Sequence, residues 1–287
     1  MEMTLPKISL VIPNLNCAGF IEDTIKSVLD QSYPNLELIL SDGGSTDGSL
    51  DIVARYRDAF AHIISGPDTG QANAVNKGFA LATGDVMGWI NSDDVLMPGG
   101  LGIVGSLFAL NPDLPWLTGK MTSIDENGQV LNSHRPRPVS HARFLAGDYQ
   151  WIQQESTYWR RALWDRTGGG LDESLRLAVD GELWLRFSRH AGLVPVHEQI
   201  GAFRFRKGQR SEAMDAYHAE MLQVIDRERQ QDVGTDDLTR QILEAPLSLR
   251  SRKEADLTFP NLRRHDPKSL KRPQLWRHKL RRRLHGV

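Results

Sequence analysis

Leu36-Glu-Leu-Ile-Leu-Ser-Asp-Gly-Gly-Ser-Thr-Asp-Gly48 is the stretch that decides the fold. Its first half is a short apolar run of strand length, and it opens directly onto a polar turn rich in Asp and Gly. The same grammar stands on both sides of it. Ile8 to Ile12 is a β-branched apolar run ended by Pro13, and it opens onto Asn14-Leu-Asn16. Val86 to Ile90 is another such run and opens onto Asn91-Ser-Asp-Asp94. Between these runs lie helix-period segments: Phe20 to Leu29, Ser49 to Tyr56 and Gln71 to Ala82, with a further short strand at His62 to Ser65.

Strand alternating with helix implies right-handed crossovers and a mostly parallel central sheet flanked by helices. Ligands of such sheets bind beyond the carboxyl ends of the strands. Asn14–Asn16, Asp42–Asp47 and Asn91–Asp94 each follow a strand, so the pattern predicts one polar, carboxylate-rich rim.

The second half is less regular. Trp116 to Thr122 and Gln129 to Asn132 read as strands around the turn at Asp125–Gly128. Arg160 to Arg166 reads as a short helix stopped by three glycines. Leu183 to His190 reads as an amphipathic helix preceded by Asp180. Val194 to His197 and Gly201 to Arg206 read as final strands, and Ser211 to Gln230 as a polar helix. From about Asp232 the composition turns to proline and charge. The span Arg263 to Val287 carries ten Lys and Arg against a single acid, Asp266.

The bulk numbers narrow the function classes. The 287 residues, 40% hydrophobic, suffice for a large globular domain, and the formal net charge of -1 makes the whole chain neither polyanion nor polycation. A lone cysteine, Cys17, makes no internal disulfide and frames no metal site, which suits a reducing compartment. The start lacks the apolar core of a signal peptide, and no apolar run reaches the length of a membrane span, so a cytoplasmic protein is expected. A P-loop and a G-x-S-x-G elbow are both absent from the sequence.

Seven segments, in order, resemble family-2 glycosyltransferases of the GT-A fold. They are Leu10–Asn16, the Ser41–Gly48 turn, Asp68-Thr-Gly-Gln-Ala-Asn-Ala-Val-Asn-Lys-Gly78, Asn91–Asp94 with Pro98-Gly99, Gln154–Thr157, Gly169–Glu173 and Asp180–Trp184. A basic loop, Arg204 to Ser211, follows. The resemblance covers about residues 7 to 211. It implies a GT-A catalytic domain over 1–211, with about 1–110 holding a nucleotide sugar and about 111–211 facing an acceptor. Residues 212–287 are then a helical extension with a basic tail.

The resemblance implies roles that the residue chemistry allows. Pro13, Asn16 and Asp42 line the base pocket, although Asp-Gly-Gly also suits an Asx turn. Asp68 approaches the ribose or donor sugar, or caps the helix after it. Asn76 and Lys77 lie on that helix, where Lys77 can reach a phosphate. Asp93 is the ligand of a divalent cation, Mn2+ or Mg2+, which wants hard oxygens and shares them with a diphosphate. Asn91 departs from the family's acid, so the cation is bound more weakly or by Asp93 alone, with Ser92 beside it. Asp94 points elsewhere.

Asp180 is the expected general base of an inverting transfer, with its pKa raised by enclosure among Leu177, Leu183 and Trp184, and Glu182 is its rival. Gln154, Glu155 and Trp184 fall on the acceptor side. Tyr149, Trp151 and Trp159 offer flat faces for a sugar or belong to the core. Arg204, Arg206 and Lys207 can clamp the diphosphate, although the His that family members often carry near Arg206 is missing.

The expected partners are therefore a nucleotide-diphosphate sugar, UDP by preference, and a glycan or lipid-linked acceptor. Leu275, Trp276, Leu280 and Leu284 recur at helical spacing among basic residues, which suits peripheral contact with an anionic inner leaflet. No aromatic platform accompanies the charge, so no nucleic-acid partner is expected. Two other classes share parts of the pattern. A nucleotidyltransferase of sugar phosphates needs a Gly-rich basic loop after the first strand, where Pro13-Asn-Leu-Asn16 stands. A non-catalytic nucleotide-sugar-binding protein is favoured by Asn91 and disfavoured by Asp93 and Asp180.

Overall fold

The computed structural model describes residues 4–149, 152–232, 234 and 236–270. The strands are β1 (Ile8–Asn14), β2 (Leu36–Asp42), β3 (His62–Ser65), β4 (Val86–Trp89), β5 (Val95–Leu96), β6 (Trp116–Thr118), β7 (Met121–Ile124), β8 (Val130–His134), β9 (Thr157–Arg160), β10 (Val194–Pro195) and β11 (Gly201–Arg204). The helices are α1 (Ile21–Leu29), α2 (Ser49–Ala54), α3 (Gln71–Leu81), α4 (Gly100–Leu110), α5 (His141–Leu145), α6 (Arg161–Arg166), α7 (Val179–Ser188), α8 (Met214–Gln231), α9 (Asp237–Glu244) and α10 (Arg252–Thr258).

Seven strands form the central sheet in the order β10-β6-β9-β4-β1-β2-β3. β1 runs parallel to both β2 and β4, and every residue of β1 is buried. A strand covered by helices on both faces has no solvent side, which is why its sequence is a continuous apolar run rather than an alternation. β9 lies antiparallel between β4 and β6. A second sheet, β5-β11-β7-β8, stands beside the first.

The expected strand from Trp116 to Thr122 is two strands in different sheets. Gly119 is the corner: a Cβ there would meet Glu198 O at 2.9 Å and Ile200 Cγ1 at 2.8 Å, so only glycine lets the chain turn past the β10–β11 connection. α4 and β9 are among the elements that the sequence reading did not anticipate. α4 is buried on almost every side, and a helix without a polar face shows no 3.6-residue alternation. β9 is a four-residue strand whose Trp159 and Tyr158 are both buried.

An aromatic cluster locks α7 to the sheet. Trp184 of α7 stacks on Trp89 of β4 and Trp116 of β6, each at 5.7 Å between centroids, and Trp159 packs edge-on to Trp89 at 5.6 Å. Burying rings of this size contributes about 2–3 kcal/mol each and fixes the axial position of the helix. Gly181 lets α8 approach: a side chain there would run into Met221 Sδ and Tyr217 Oη. Met221, Val224 and Ile225 of α8 join the same core, so packing continues across residue 211.

The charged segment after Asp232 also folds as far as 270. Leu238, Ile242, Ala255, Phe259 and Leu262 form a small core with Ala142, Leu145 and Ala146 of α5. Buried Arg143 ties it down through Asp148 at 2.7 Å, Asp256 at 3.1 Å and Asp266 at 2.5 Å. The amphipathic pattern from Leu275 to Leu284 lies outside the described residues.

Candidate active site

The carboxyl ends of β1 and β4 open into a cavity of about 1070 Å³. Its floor comes from Pro13, Asn14 and the Asn91–Asp93 turn. One wall is the start of α3 with Asp68 and Gln71, and another is the first turn of α7 with Asp180. β7, β8, the loop after β11 and the start of α8 close the remaining sides.

Five carboxylates line this cavity: Asp68, Asp93, Glu155, Glu173 and Asp180. Asp180 sits in the first turn of α7, because the helix starts at Val179 rather than at Leu183, and the N-cap is Ala178. Its Oδ1 accepts from Gly181 N at 2.8 Å and from Tyr217 Oη at 3.2 Å. Burial raises its pKa above the usual carboxylate range, partly opposed by those two donors and by the charge of Arg210. The rival base, Glu182, is tied to Arg186 at 2.6 Å. Glu155 is almost fully buried, and its Oε1 has no hydrogen-bond partner among the described residues. Burial, reinforced by the charges of Asp180 and Asp93, pushes it up to about 8.

Asp93 Oδ2 accepts from Arg206 Nε at 2.7 Å. Asp94 turns away: its Oδ1 accepts from Arg204 N at 2.8 Å and its Oδ2 from Asn91 Nδ2 at 3.1 Å. Burial, with the charges of Glu155 and Asp93, drives Asp94 well above its ordinary pKa. Asn91 Oδ1 in turn accepts from Gln71 Nε2 at 2.6 Å. Ser92 is buried on the cavity wall, and its carbonyl accepts from Cys17 Sγ at 3.5 Å.

Among the described residues no three His, Cys, Asp or Glu side chains converge on one point, so no all-protein metal cage exists there. Asp93 alone, on the wall of a cavity wide enough for a diphosphate, fits a cation that takes most of its oxygens from the ligand and water.

Several expected residues stand elsewhere. Arg204, expected at the diphosphate, does not line the cavity. It is 1% exposed, donates to Asp93 O at 2.7 Å and Glu126 O at 2.9 Å, and lies over the Phe20 ring, so it buttresses the acidic turn from behind. Asn76 pins the glycine-rich loop before α7 by bonding Leu171 at both backbone groups, at 2.7 and 3.0 Å. Lys77 donates to Pro67 O at 3.0 Å and does not line the cavity.

Asp42 lies behind the floor, where Asn14, Ser45, Ser65 and the amides of Gly44 and Ser45 fill both its oxygens, an Asx turn in full. Asn16 is exposed and accepts from Thr46 N at 2.9 Å. Trp159, at 0% exposure, is a core ring, while Trp184, at 1% exposure, belongs to the same core and also borders the cavity. Gln154 is buried on the wall and donates to Trp89 O. Tyr149 lies on the wall too, and Trp151 falls outside the described residues.

The sequence reading missed Arg210 and Gln71 as site residues, and read α8 as a polar helix without a part in the site. Arg210 Nη1 donates to Gln71 Oε1 at 2.5 Å and its Nη2 to Arg176 O, which joins the basic loop to α3 and to the segment before α7. Glu220 of α8 accepts from the amides of Leu177 and Ala178, each at 2.9 Å, and so fixes the approach to Asp180. Arg210 stood inside the quoted basic loop. Tyr217, His218 and Glu220 carried no signal, because α8 had been placed outside the resemblance.

Solved structures share this architecture. S. aureus TarS residues 1–349, in complex with UDP-GlcNAc, superposes with a TM-score of 0.66 at 20% identity, covering 83% of this chain and 70% of that one. A mannosyltransferase from Pyrobaculum calidifontis, in complex with GDP-Man and Mn2+, gives 0.58 at 18% identity over 91% and 74%. These matches show the mixed α/β fold of GT-A glycosyltransferase structures, here with a carboxylate-lined cavity at its strand ends. The chain belongs to glycosyl transferase family 2, whose pattern matches residues 9–161.

Among curated relatives, the putative teichuronic acid biosynthesis glycosyltransferase TuaG of Bacillus subtilis is 40% identical over 92 residues, 31% of this chain and 36% of that protein. An uncharacterized glycosyltransferase, alr2836 of Nostoc, is 33% identical over 129 residues, 44% and 40% of the two chains. The chain thus spans two fifths or less of these relatives. EpsJ of Bacillus subtilis, an uncharacterized glycosyltransferase, is 26% identical over 247 residues, 80% and 70%.

Proposed function

We propose that this enzyme transfers a sugar from a UDP-sugar to a hydroxyl of a glycan or lipid-linked saccharide, with inversion at the anomeric carbon. The observation that supports this reading is that Asp93 and Asp180 line one cavity. The acceptor oxygen bonds to the anomeric carbon as the bond to the diphosphate breaks. The electron pair leaves with the nucleoside diphosphate, and the acceptor proton passes to Asp180.

Burial raises the Asp180 pKa and so makes it a stronger proton acceptor, while Gly181, Tyr217 and Arg210 favour its ionised form. Pro13 and Asp68 hold the nucleotide side, with Asn91 and Ser92 at the sugar, while Gln154 and Glu155 face the acceptor. Arg206 and Arg210 bring positive charge to the phosphates. A divalent cation, Mn2+ or Mg2+, held by Asp93 supplies Lewis-acid neutralisation of the leaving group. In this reading residues 1–110 serve the donor and 111–211 the acceptor, and the basic tail holds the enzyme on an anionic membrane face.

The choice of UDP draws support from TarS, whose solved complex holds UDP-GlcNAc. The test is a screen of UDP-, GDP- and dTDP-sugars read by nucleoside-diphosphate release, with the anomeric configuration of the product read by NMR. Release from UDP-sugars with an inverted product supports the reading. A retained configuration refutes the mechanism, and no release from any donor refutes the activity.

A further inference from the structure

Arg206 stands where charge has to be placed for diphosphate chemistry, and it is already engaged. Its Nε donates to Asp93 Oδ2 at 2.7 Å, both side chains are partly buried, and both line the cavity. The neighbouring positions bring no further anionic oxygen to this point. Asn91 is neutral and spends its carbonyl on Gln71, and Asp94 is turned into the protein. Arg206 is held in place from a second side: its guanidinium lies 5.5 Å above the Phe20 ring, which it shares with Arg204. A single carboxylate paired with a single guanidinium makes a turn with no net charge, a poor lure for a free divalent ion.

We propose that Arg206 is the resident counter-ion of Asp93. It competes with divalent cations for that carboxylate in the nucleotide-free enzyme and turns to the diphosphate when the donor arrives. The inference rests on the reading of Asp93 as the cation's ligand. It makes cation binding conditional on nucleotide, because the diphosphate supplies both the missing oxygens and a new partner for the guanidinium.

The experiment measures Mn2+ binding to the full chain without nucleotide, by electron paramagnetic resonance of the free ion. It compares wild type, Arg206→Gln, Arg206→Lys, Asp93→Asn and the Arg206→Gln/Asp93→Asn double variant. Removing one positive charge from beside a divalent site tightens binding by roughly tenfold at low salt. Arg206→Gln is therefore expected to bind Mn2+ about tenfold more tightly than wild type, Arg206→Lys about as wild type does, and the double variant to lose the gain. UDP binding measured in EDTA weakens in Arg206→Gln.

Thermal melting monitors the fold of each variant. Should Arg206→Gln be misfolded, Arg206→Lys carries the test through UDP binding in EDTA: the planar fork of arginine matches a diphosphate that a lysine meets as a point charge, so a lysine that binds UDP as tightly as arginine overturns the turn of the guanidinium to the diphosphate. Unchanged or weaker Mn2+ binding by a folded Arg206→Gln overturns the proposal, as does a gain that survives in the double variant. If Asp93→Asn leaves Mn2+ binding in the presence of UDP untouched, the underlying reading of Asp93 fails instead.

Discussion

Replacing Tyr217 with phenylalanine isolates the tuning of the proposed base. The Tyr217 hydroxyl donates to Asp180 Oδ1 at 3.2 Å, beside the Gly181 amide at 2.8 Å. Both favour the ionised carboxylate against the burial that raises its pKa. A hydrogen bond to a charged group is worth about 1.5–3 kcal/mol at good geometry, and this longer one is placed at about 1 kcal/mol. At 1.36 kcal/mol per pH unit, its loss moves the Asp180 pKa up by about 0.7. The base has to be ionised to work, so the acid limb of the kcat/KM profile shifts upward by that amount. Activity below the limb falls about fivefold and activity above it barely changes. The assay is nucleoside-diphosphate release from pH 5 to 9 with saturating acceptor, alongside a melting curve. A limb that stays in place or moves down refutes the reasoning, and so does an equal loss at every pH.

Three further outcomes follow from the packing. Gly78→Ala puts a methyl 2.5 Å from Val11 Cγ1 on the central strand, and is expected to cost about 1–3 kcal/mol in urea unfolding. Arg143→Met removes the buried cation shared by Asp148, Asp256 and Asp266, each of which keeps a second arginine in Arg137, Arg263 and Arg252, and is expected to cost about 1.5–3 kcal/mol, detaching the segment after Asp232 first, as hydrogen exchange at α9 and α10 would report. Burial alone would raise Glu37, but Lys7, Ser9 and Thr83 outweigh it and hold its pKa down to about 2 from an ordinary 4.5. A depressed carboxylate stabilises the fold above its unfolded pKa, and the contribution is lost as pH falls from about 4.5 towards 2. Glu37→Gln is therefore expected to remove about 3 kcal/mol at pH 7 and to flatten the acid side of the stability curve.

The sequence showed the donor half of the fold plainly because its signals are local. β1, β2 and β4 are buried on both faces and read as apolar runs, and α1 and α3 show one apolar face each. α4 left no periodic trace because it is buried nearly all round, and β9 was hidden because a short antiparallel strand inserted between β4 and β6 is a tertiary decision. The site divides in the same way. Asp93 and Asp180 sit in recognisable turns and reach the cavity, whereas Arg204 and Asn76 occupy equally recognisable positions but point into the scaffold. Motif spacing places a residue near a site, and packing decides which way its side chain faces. Tyr217 and Arg210 act through contacts 37 and 139 residues away in the chain, which spacing does not reveal.

The most direct measurement is on Asp180→Asn, with turnover and UDP affinity determined on the same preparation. The account predicts that sugar transfer falls at least about a thousandfold while UDP binds as tightly as to the wild type, since the amide keeps the shape of the wall and loses only the proton acceptor. Transfer retained within about tenfold of wild type would contradict it.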